Sequence, residues 1–171
     1  MSPVYVIDAG VLISTWTDKK MESTFYTTSG IIEEVRNRMS RFRAETLFLL
    51  EKMHERTPSI DEVKRIESIA TSTGDHSVLS NNDIELIALA STLISEGEDA
   101  ILVSTDFAVL NTATQLDIPI IDPNKRFKKK IVWGMRCPAC QYRSETPTRD
   151  TVCPVCGTTM KRTPLRKPKN A

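Results

Sequence analysis

From residue 4 to residue 121, short apolar runs alternate with stretches in which apolar side chains recur every three or four positions, and this alternation predicts the elements. Val4–Ile7 is a β-rich run ended by Asp8-Ala9-Gly10, and Thr24–Thr28 is a second candidate strand. From about Gly30 a helix is expected, with Ile31, Ile32, Val35, Met39 and Phe42 at helical spacing. A further apolar run, Leu47–Met53, extends that helical region until Thr57-Pro58 interrupts it. Ser59-Ile60-Asp61-Glu62 is a capping-box sequence opening a helix through Val63, Ile66, Ile69 and Ala70, which Gly74 closes. Ser80-Asn81-Asn82-Asp83 opens the next, carrying Ile84, Ile87, Ala88 and Leu93 up to Gly97. Ala100–Ser104 is a buried-type strand, Asp106–Leu116 a helix and Ile118–Ile121 a final strand. Apolar strands alternating with helices predict an α/β fold whose mainly parallel sheet is covered by helices on both faces.

Composition changes this picture little, with 40% hydrophobic and 26% charged residues over 171 positions. That length suits one domain of about 100 to 150 residues with a short appendage. The longest apolar runs, such as Leu47–Leu50 and Ala100–Val103, fall far short of the ~20 residues of a membrane span, so a cytoplasmic protein without a membrane partner is expected. Charge changes the picture more. Residues 1–122 hold 10 Lys and Arg against 20 Asp and Glu, whereas residues 123–171 hold 13 against 2, although the whole chain is only +1. A basic end of this kind suits a polyanion. Its densest stretch, Lys125, Arg126, Phe127, Lys128, Lys129 and Lys130, is followed by Trp133, Arg136, Tyr142 and Arg143, and cations near aromatic rings suit phosphate contact with base stacking. A solvated linker is the plainer alternative.

All four cysteines lie in that basic end, as Cys137-Pro-Ala-Cys140 and Cys153-Pro-Val-Cys156-Gly157. Two such knuckles predict a four-thiolate zinc ribbon, whose closed coordination makes the metal structural. Disulfides or a redox pair are the rival, but neither a signal peptide nor a thioredoxin-like context accompanies the cysteines.

In a parallel sheet, ligands gather beyond the C-terminal strand ends, and here the sequence places acids. Asp8 directly follows the first strand, Asp106 lies just beyond Val103-Ser104, and Asp83 falls in the first turn of the helix leading to that strand. In Ile31-Ile32-Glu33-Glu34-Val35, Glu34 lies about 105° from the apolar centre and Glu33 about 155°, so Glu34 is better placed to border the sheet. Each acid also has an uneventful reading: Asp83 in a capping box, Asp106 at a helix N-terminus, Glu34 on the surface. Asp8 resists it, because a carboxylate at the end of an apolar strand is costly unless paired or bound to a cation. Converging acids with only oxygen ligands favour Mg²⁺ or Mn²⁺, which suits phosphodiester hydrolysis by metal-activated water. Phosphate loops, dinucleotide fingerprints and nucleophile elbows are absent from the sequence. An aspartyl phosphatase would need a second Asp where Gly10 stands, and His54 and His76 form no catalytic spacing.

Val6-Ile7-Asp8-Ala9, Ile31-Ile32-Glu33-Glu34-Val35-Arg36, Leu79-Ser80-Asn81-Asn82-Asp83-Ile84 and Val103-Ser104-Thr105-Asp106-Phe107 resemble, in that order, the four acidic motifs of a PIN-domain nuclease. With the ribbon behind them, the chain resembles the Nob family of ribosome-assembly endonucleases in its compact, archaeal form. The resemblance implies a PIN-like nuclease domain over 1–122, a basic linker over 123–132, a zinc ribbon over 133–161 and a disordered basic tail over 162–171. It implies an endoribonuclease that makes the mature 3′ end of small-subunit ribosomal RNA, acting on the precursor within the assembling subunit, with an RNA-binding assembly factor as a further partner. Asp8, Glu34, Asp83 and Asp106 match the family's catalytic acids, which hold one or two Mg²⁺ or Mn²⁺, and Thr105 matches a supporting hydroxyl. Cys137, Cys140, Cys153 and Cys156 would hold one structural Zn²⁺, while Lys125, Arg126, Lys128, Lys129, Lys130, Arg136, Tyr142 and Arg143 would contact RNA. Two other readings are a toxin-type PIN ribonuclease and a non-catalytic zinc-ribbon adaptor that binds RNA.

Overall fold

The computed structural model describes residues 2–145 and 151–165. Five strands form one parallel sheet: β1 (Val4–Ile7), β2 (Thr24–Thr27), β3 (Met53–Glu55), β4 (Ala100–Val103) and β5 (Ile120–Ile121), in the order β3-β2-β1-β4-β5. β1 is central, with Val4 opposite Thr24 on one side and Ala100 on the other. Its four residues are all buried because the sheet is covered twice. Val4 and Val6 join a core with Leu86, Leu89, Leu93, Leu102 and Val109, whereas Tyr5 and Ile7 join the opposite core with Leu12, Phe25, Leu47 and Met53. This period-two partition is what a strand between two helical layers requires.

Six helices supply those layers: α1 (Ala9–Ile13), α2 (Ser29–Glu34), α3 (Arg38–Leu49), α4 (Ile60–Thr73), α5 (Asn81–Ser95) and α6 (Phe107–Gln115). Ser59 caps α4, Gly74 closes it in the left-handed conformation (φ 78°), and Ser80 with Asp83 forms a complete capping box on α5. The short α1 and a 3-10 turn at Thr17–Lys20 lack a periodic signature long enough to register in the sequence.

Two expectations need correction. The helix expected from Gly30 is two helices, because Val35 leaves helical geometry (ψ 89°) and Asn37 starts a new helix by accepting hydrogen bonds from the Met39 and Ser40 amides. The run Leu47–Met53 is not helical throughout. Leu47 and Met53 are buried, but Leu49 is 85% exposed, Glu51 turns the chain at φ 56°, and Met53 begins β3 opposite Phe25.

A second, antiparallel sheet has the order β7-β6-β8, formed by β6 (Trp133–Arg136), β7 (Arg143–Ser144) and β8 (Lys161–Pro164). β8 pairs Thr163 with Gly134 and Pro164 with Trp133, so residues 162–164, placed in the tail from sequence, are strand; residues 166–171 lie outside the described residues. Two side chains tie the sheets together. Asn111 of α6 donates to the Ile131 carbonyl (2.8 Å) and accepts from its amide (2.7 Å), and Arg162 of β8 pairs with the fully buried Asp75 after α4 while lying over the Trp133 ring at 4.2 Å. The segment between the sheets folds around Asp122, whose carboxylate accepts from the amides of Asn124, Arg126 and Phe127. Among the described residues no helix is long and apolar enough to cross a membrane.

Candidate functional site

Strand β1 leads towards β2 and β3 on one side, and the chain later returns through β4 and β5 on the other, so the sheet reverses its order of growth between β1 and β4. The C-terminal ends of those two neighbours open the crevice where parallel sheets hold ligands. Asp8 follows β1 there and Ser104-Thr105-Asp106 follows β4.

Asp8 is 6% exposed. Its Oδ1 accepts from the Val11 amide at 2.7 Å, and its Oδ2 accepts from the Ser104 hydroxyl and from the Thr105 amide at 3.1 Å. Burial nevertheless pushes its carboxyl above the usual carboxylate range; the three donors oppose that shift and the Asp106 charge adds to it. The Ser104 hydroxyl also accepts from the Asp106 amide at 3.0 Å, so one buried side chain links the two acids. Asp106 caps α6 through Oδ1, which accepts from Ala108 (2.6 Å) and Val109 (3.2 Å).

Asp83 accepts from the Ser80 amide and hydroxyl through Oδ2, both at 2.8 Å. Its carboxyl is also raised, first by burial and further by the charges of Asp106 and Glu34, with the Ser80 donors opposing. Glu34, at the last position of α2, is exposed and accepts from the Asn82 amide nitrogen at 2.7 Å. Asp106 thus acts electrostatically on Asp8 and on Asp83, and Glu34 acts on Asp83: the four acids share one locality. The uneventful capping roles are real, but they leave oxygens over. Asp83 Oδ1, Asp106 Oδ2 and Glu34 Oε2 accept no hydrogen bond among the described residues. Unpartnered oxygens on mutually repelling carboxylates fit a hard divalent cation. Among the described residues only the cysteine sulfurs described below are gathered closely enough to hold an ion as they stand; the four carboxylates are not.

Two supporting residues, Ser104 and Asn82, are ones that sequence reasoning missed. Both sit inside quoted motifs beside an acid, and a neutral side chain there leaves no charge or spacing signature. Two glycines shape their neighbourhood: a Cβ at Gly10 would overlap the Thr105 hydroxyl, and one at Gly30 would overlap the Asn82 amide. Thr105, expected to support the last acid, is exposed and reaches Asp8 through its amide. Glu33 lies on the exposed surface beside a different cleft, away from the Asn82 contact that Glu34 makes. His54 packs against the Tyr26 ring at 5.4 Å.

In the second sheet the four cysteines are free thiols whose sulfurs all lie within 4.8 Å of one another, with Cys137 to Cys156 at 3.4 Å and Cys140 to Cys153 at 3.5 Å. Zn–S bonds of about 2.3 Å in a tetrahedron place sulfurs roughly 3.8 Å apart, so the set fits zinc. Each knuckle closes on itself, Gln141 donating to the Cys137 carbonyl and Gly157 to the Cys153 carbonyl, and both turn residues take positive φ (67° and 72°). Thr158, through hydroxyl and amide, pulls the Cys156 thiol down to about 6. At Cys140 the Tyr142 amide favours the thiolate, but desolvation and the three neighbouring sulfurs outweigh it and push the thiol up to about 12. Four crowded thiols without a cation compete for the same negative charge.

The expected RNA contacts Lys125, Arg126, Lys128, Lys129, Lys130, Arg136, Tyr142 and Arg143 are all exposed, and Arg136 also donates to Gln141 at 2.9 Å.

A family profile described as the PIN domain of ribonuclease matches residues 5–93. Among similar proteins, "Ribonuclease VapC1" of Thermoplasma acidophilum is 31% identical over 93% of this chain and 77% of its own length. "Endoribonuclease Nob1" of Pyrococcus abyssi is 30% identical over 95% of this chain and 94% of its own. The "20S-pre-rRNA D-site endonuclease nob1" of Schizosaccharomyces pombe is 32% identical over 52% of this chain and 22% of its own.

Proposed function

The chain belongs to the PIN-domain endoribonucleases, and from that membership we propose that it cleaves precursor small-subunit (16S-type) ribosomal RNA at its mature 3′ end during ribosome assembly. The observation that supports the chemistry is the position of Asp8 and Asp106 at the strand ends where the sheet reverses its order, with Asp106 coupled electrostatically to Asp8 and Asp83, and Glu34 to Asp83. Likeness to Nob1 over nearly both whole chains supports the substrate, and the four-cysteine cluster beside a basic surface supports RNA as the ligand.

In this reading the acids hold one or two divalent cations of the Mg²⁺ or Mn²⁺ type. Such a cation supplies Lewis acidity, making water a better nucleophile at neutral pH and neutralising the charge that builds on the phosphate. The chain's own work is positional. Val11, Ser104 and Thr105 fix the Asp8 carboxylate, Ser80 fixes Asp83, the first turn of α6 fixes Asp106, and Asn82 holds Glu34. Water attack at the scissile phosphorus breaks the bond to the 3′ oxygen, which takes a proton, and leaves a 5′-phosphate on the downstream fragment. The cysteines, fully committed to a structural zinc, take no part in the cut.

Incubation of the protein with RNA spanning the 3′ junction, with Mg²⁺ or Mn²⁺, tests the proposal. One cut is expected, leaving a 3′-hydroxyl upstream, and Asp8→Asn should slow it by more than about 100-fold, the upper range for a merely supporting group. The likeness to VapC1 favours a second reading, a toxin-type ribonuclease. Equal cutting of a scrambled RNA would select it over ribosomal processing.

A further inference from the structure

We infer that the elbow between α2 and α3 is a second RNA-binding site, in which Arg36, Arg38 and Arg41 hold backbone phosphates of the strand presented to the acids. The inference rests on the endoribonuclease reading and names where that site takes hold of its substrate. Residues 1–122 are strongly acidic, yet four of their ten Lys and Arg residues fall in the eight positions from Arg36 to Arg43, which contain no acid.

These four arginines divide sharply. Arg43 is committed, its Nε to Asp18 at 2.9 Å and its Nη1 to the Leu12 carbonyl at 2.6 Å, so it braces α3 against the first helix. Arg36, Arg38 and Arg41 are exposed, and their guanidiniums make no hydrogen bond or ion pair among the described residues. With Phe42 and Glu45 they line a cleft of about 290 Å³. Three unpaired guanidiniums around one cleft repel one another, and the two carboxylates beside them, Glu45 here and Glu33 in the adjoining cleft that Arg36 and Arg41 also line, pair with none of them. An anion with several acceptor oxygens compensates, and phosphate matches the guanidinium fork.

Placement selects nucleic acid. Arg36 stands two residues after Glu34, so their Cα atoms lie within about 7 Å and the arginine cleft adjoins the end of α2 that carries that acid. The grip is rigidly seated, because Asn37 locks the start of α3 and the buried Ser40 and Ala44 anchor its inner face. Phe42 (66% exposed) stands among the arginines, and an exposed ring beside cations suits an unstacked base. The acid cluster repels RNA by itself, and a cationic rim next to it overcomes that repulsion where the cut must occur.

The test reads binding without cleavage, in full-length protein carrying Asp8→Asn, by fluorescence anisotropy of a labelled single-stranded RNA over a salt series. Adding Arg36→Gln, Arg38→Gln and Arg41→Gln is expected to weaken binding at least about tenfold and to flatten the slope of log K against log salt by about 2, from three contacts at ~0.7 each. Replacement of all three by Lys should restore most of that slope, and an unchanged melting temperature excludes misfolding. Equal affinity and slope in the Gln variant would overturn the inference, as would a variant that binds RNA normally but loses association with an acidic protein. Failure of the nuclease reading looks different: the chain without substitutions would leave RNA uncut with either cation.

Discussion

Asp8 accepts three hydrogen bonds and still ionises with difficulty, because its removal from water outweighs them. Asp83 shares the condition. A carboxyl whose folded pKa lies above its unfolded value holds its proton more tightly in the fold, so its stabilising contribution is complete at low pH and disappears as pH rises through the raised value. Cation-free protein is therefore expected to lose melting temperature as pH rises above the ordinary carboxylate value, and Asp8→Asn should flatten part of that decline. Added Mg²⁺ or Mn²⁺ should raise the melting temperature at neutral pH, by about 2.7 kcal/mol of stability at a hundredfold excess over the dissociation constant, and should do so far less in Asp8→Asn. Thermal melts across pH, with and without cation, check both. The acids were legible in the sequence because charge beside an apolar strand is conspicuous. Ser104 and Asn82 were not, since a buried hydroxyl between two acids and an amide reaching across 48 positions depend on a tertiary approach that Gly10 and Gly30 permit.

Among the elements, those that announce their ends were the ones the sequence located. Ser59 with Gly74, and Ser80 with Asp83, bound their helices as their residue types require. The α2–α3 break was hidden because Ile31, Val35 and Phe42 keep helical spacing across it, although Ile31 belongs to one core, Val35 to the other, and Phe42 to neither. β3 was hidden because Leu49 and Leu50 are apolar yet exposed, so hydrophobicity there reports no burial. The second sheet presents a different case: its strands are short, and its buried cluster among the described residues is Met135, Cys137, Cys153 and Met160. Half of that cluster is cysteine, so removing a zinc held by those sulfurs would dissolve the core as well as the site. Chelation is expected to unfold the three-stranded sheet while the five-stranded one persists. Amide spectra should show β6 and β8 losing dispersion together while β1 and β4 keep theirs, with one Zn²⁺ per chain restoring them.

At the scale of the whole molecule, in the proposed reading, the join between the two sheets would set how a basic surface and an acidic site address one RNA. That join centres on Asp75, which is fully buried and accepts from Asn111 at 2.5 Å, from Thr73 at 3.3 Å and from Arg162. Burial raises its carboxyl, with Asn111, Arg162 and Thr73 opposing, so Arg162 contributes charge compensation that the two neutral donors cannot replace. The Arg162 ring contact with Trp133 carries the same residue into β6. Arg162→Ala should therefore leave an uncompensated buried carboxylate and cost about 3 kcal/mol, the lower end for a broken buried pair because Arg162 is a quarter exposed. The deficit should grow as pH rises above the ordinary carboxylate value, since removing the cation raises Asp75 further and its ionisation then works against the fold. Asp75→Asn in the same background should recover part of the loss by removing the charge. Denaturant titrations at two pH values separate this from simple loss of packing, which would cost the same at both and would not be relieved by the second substitution.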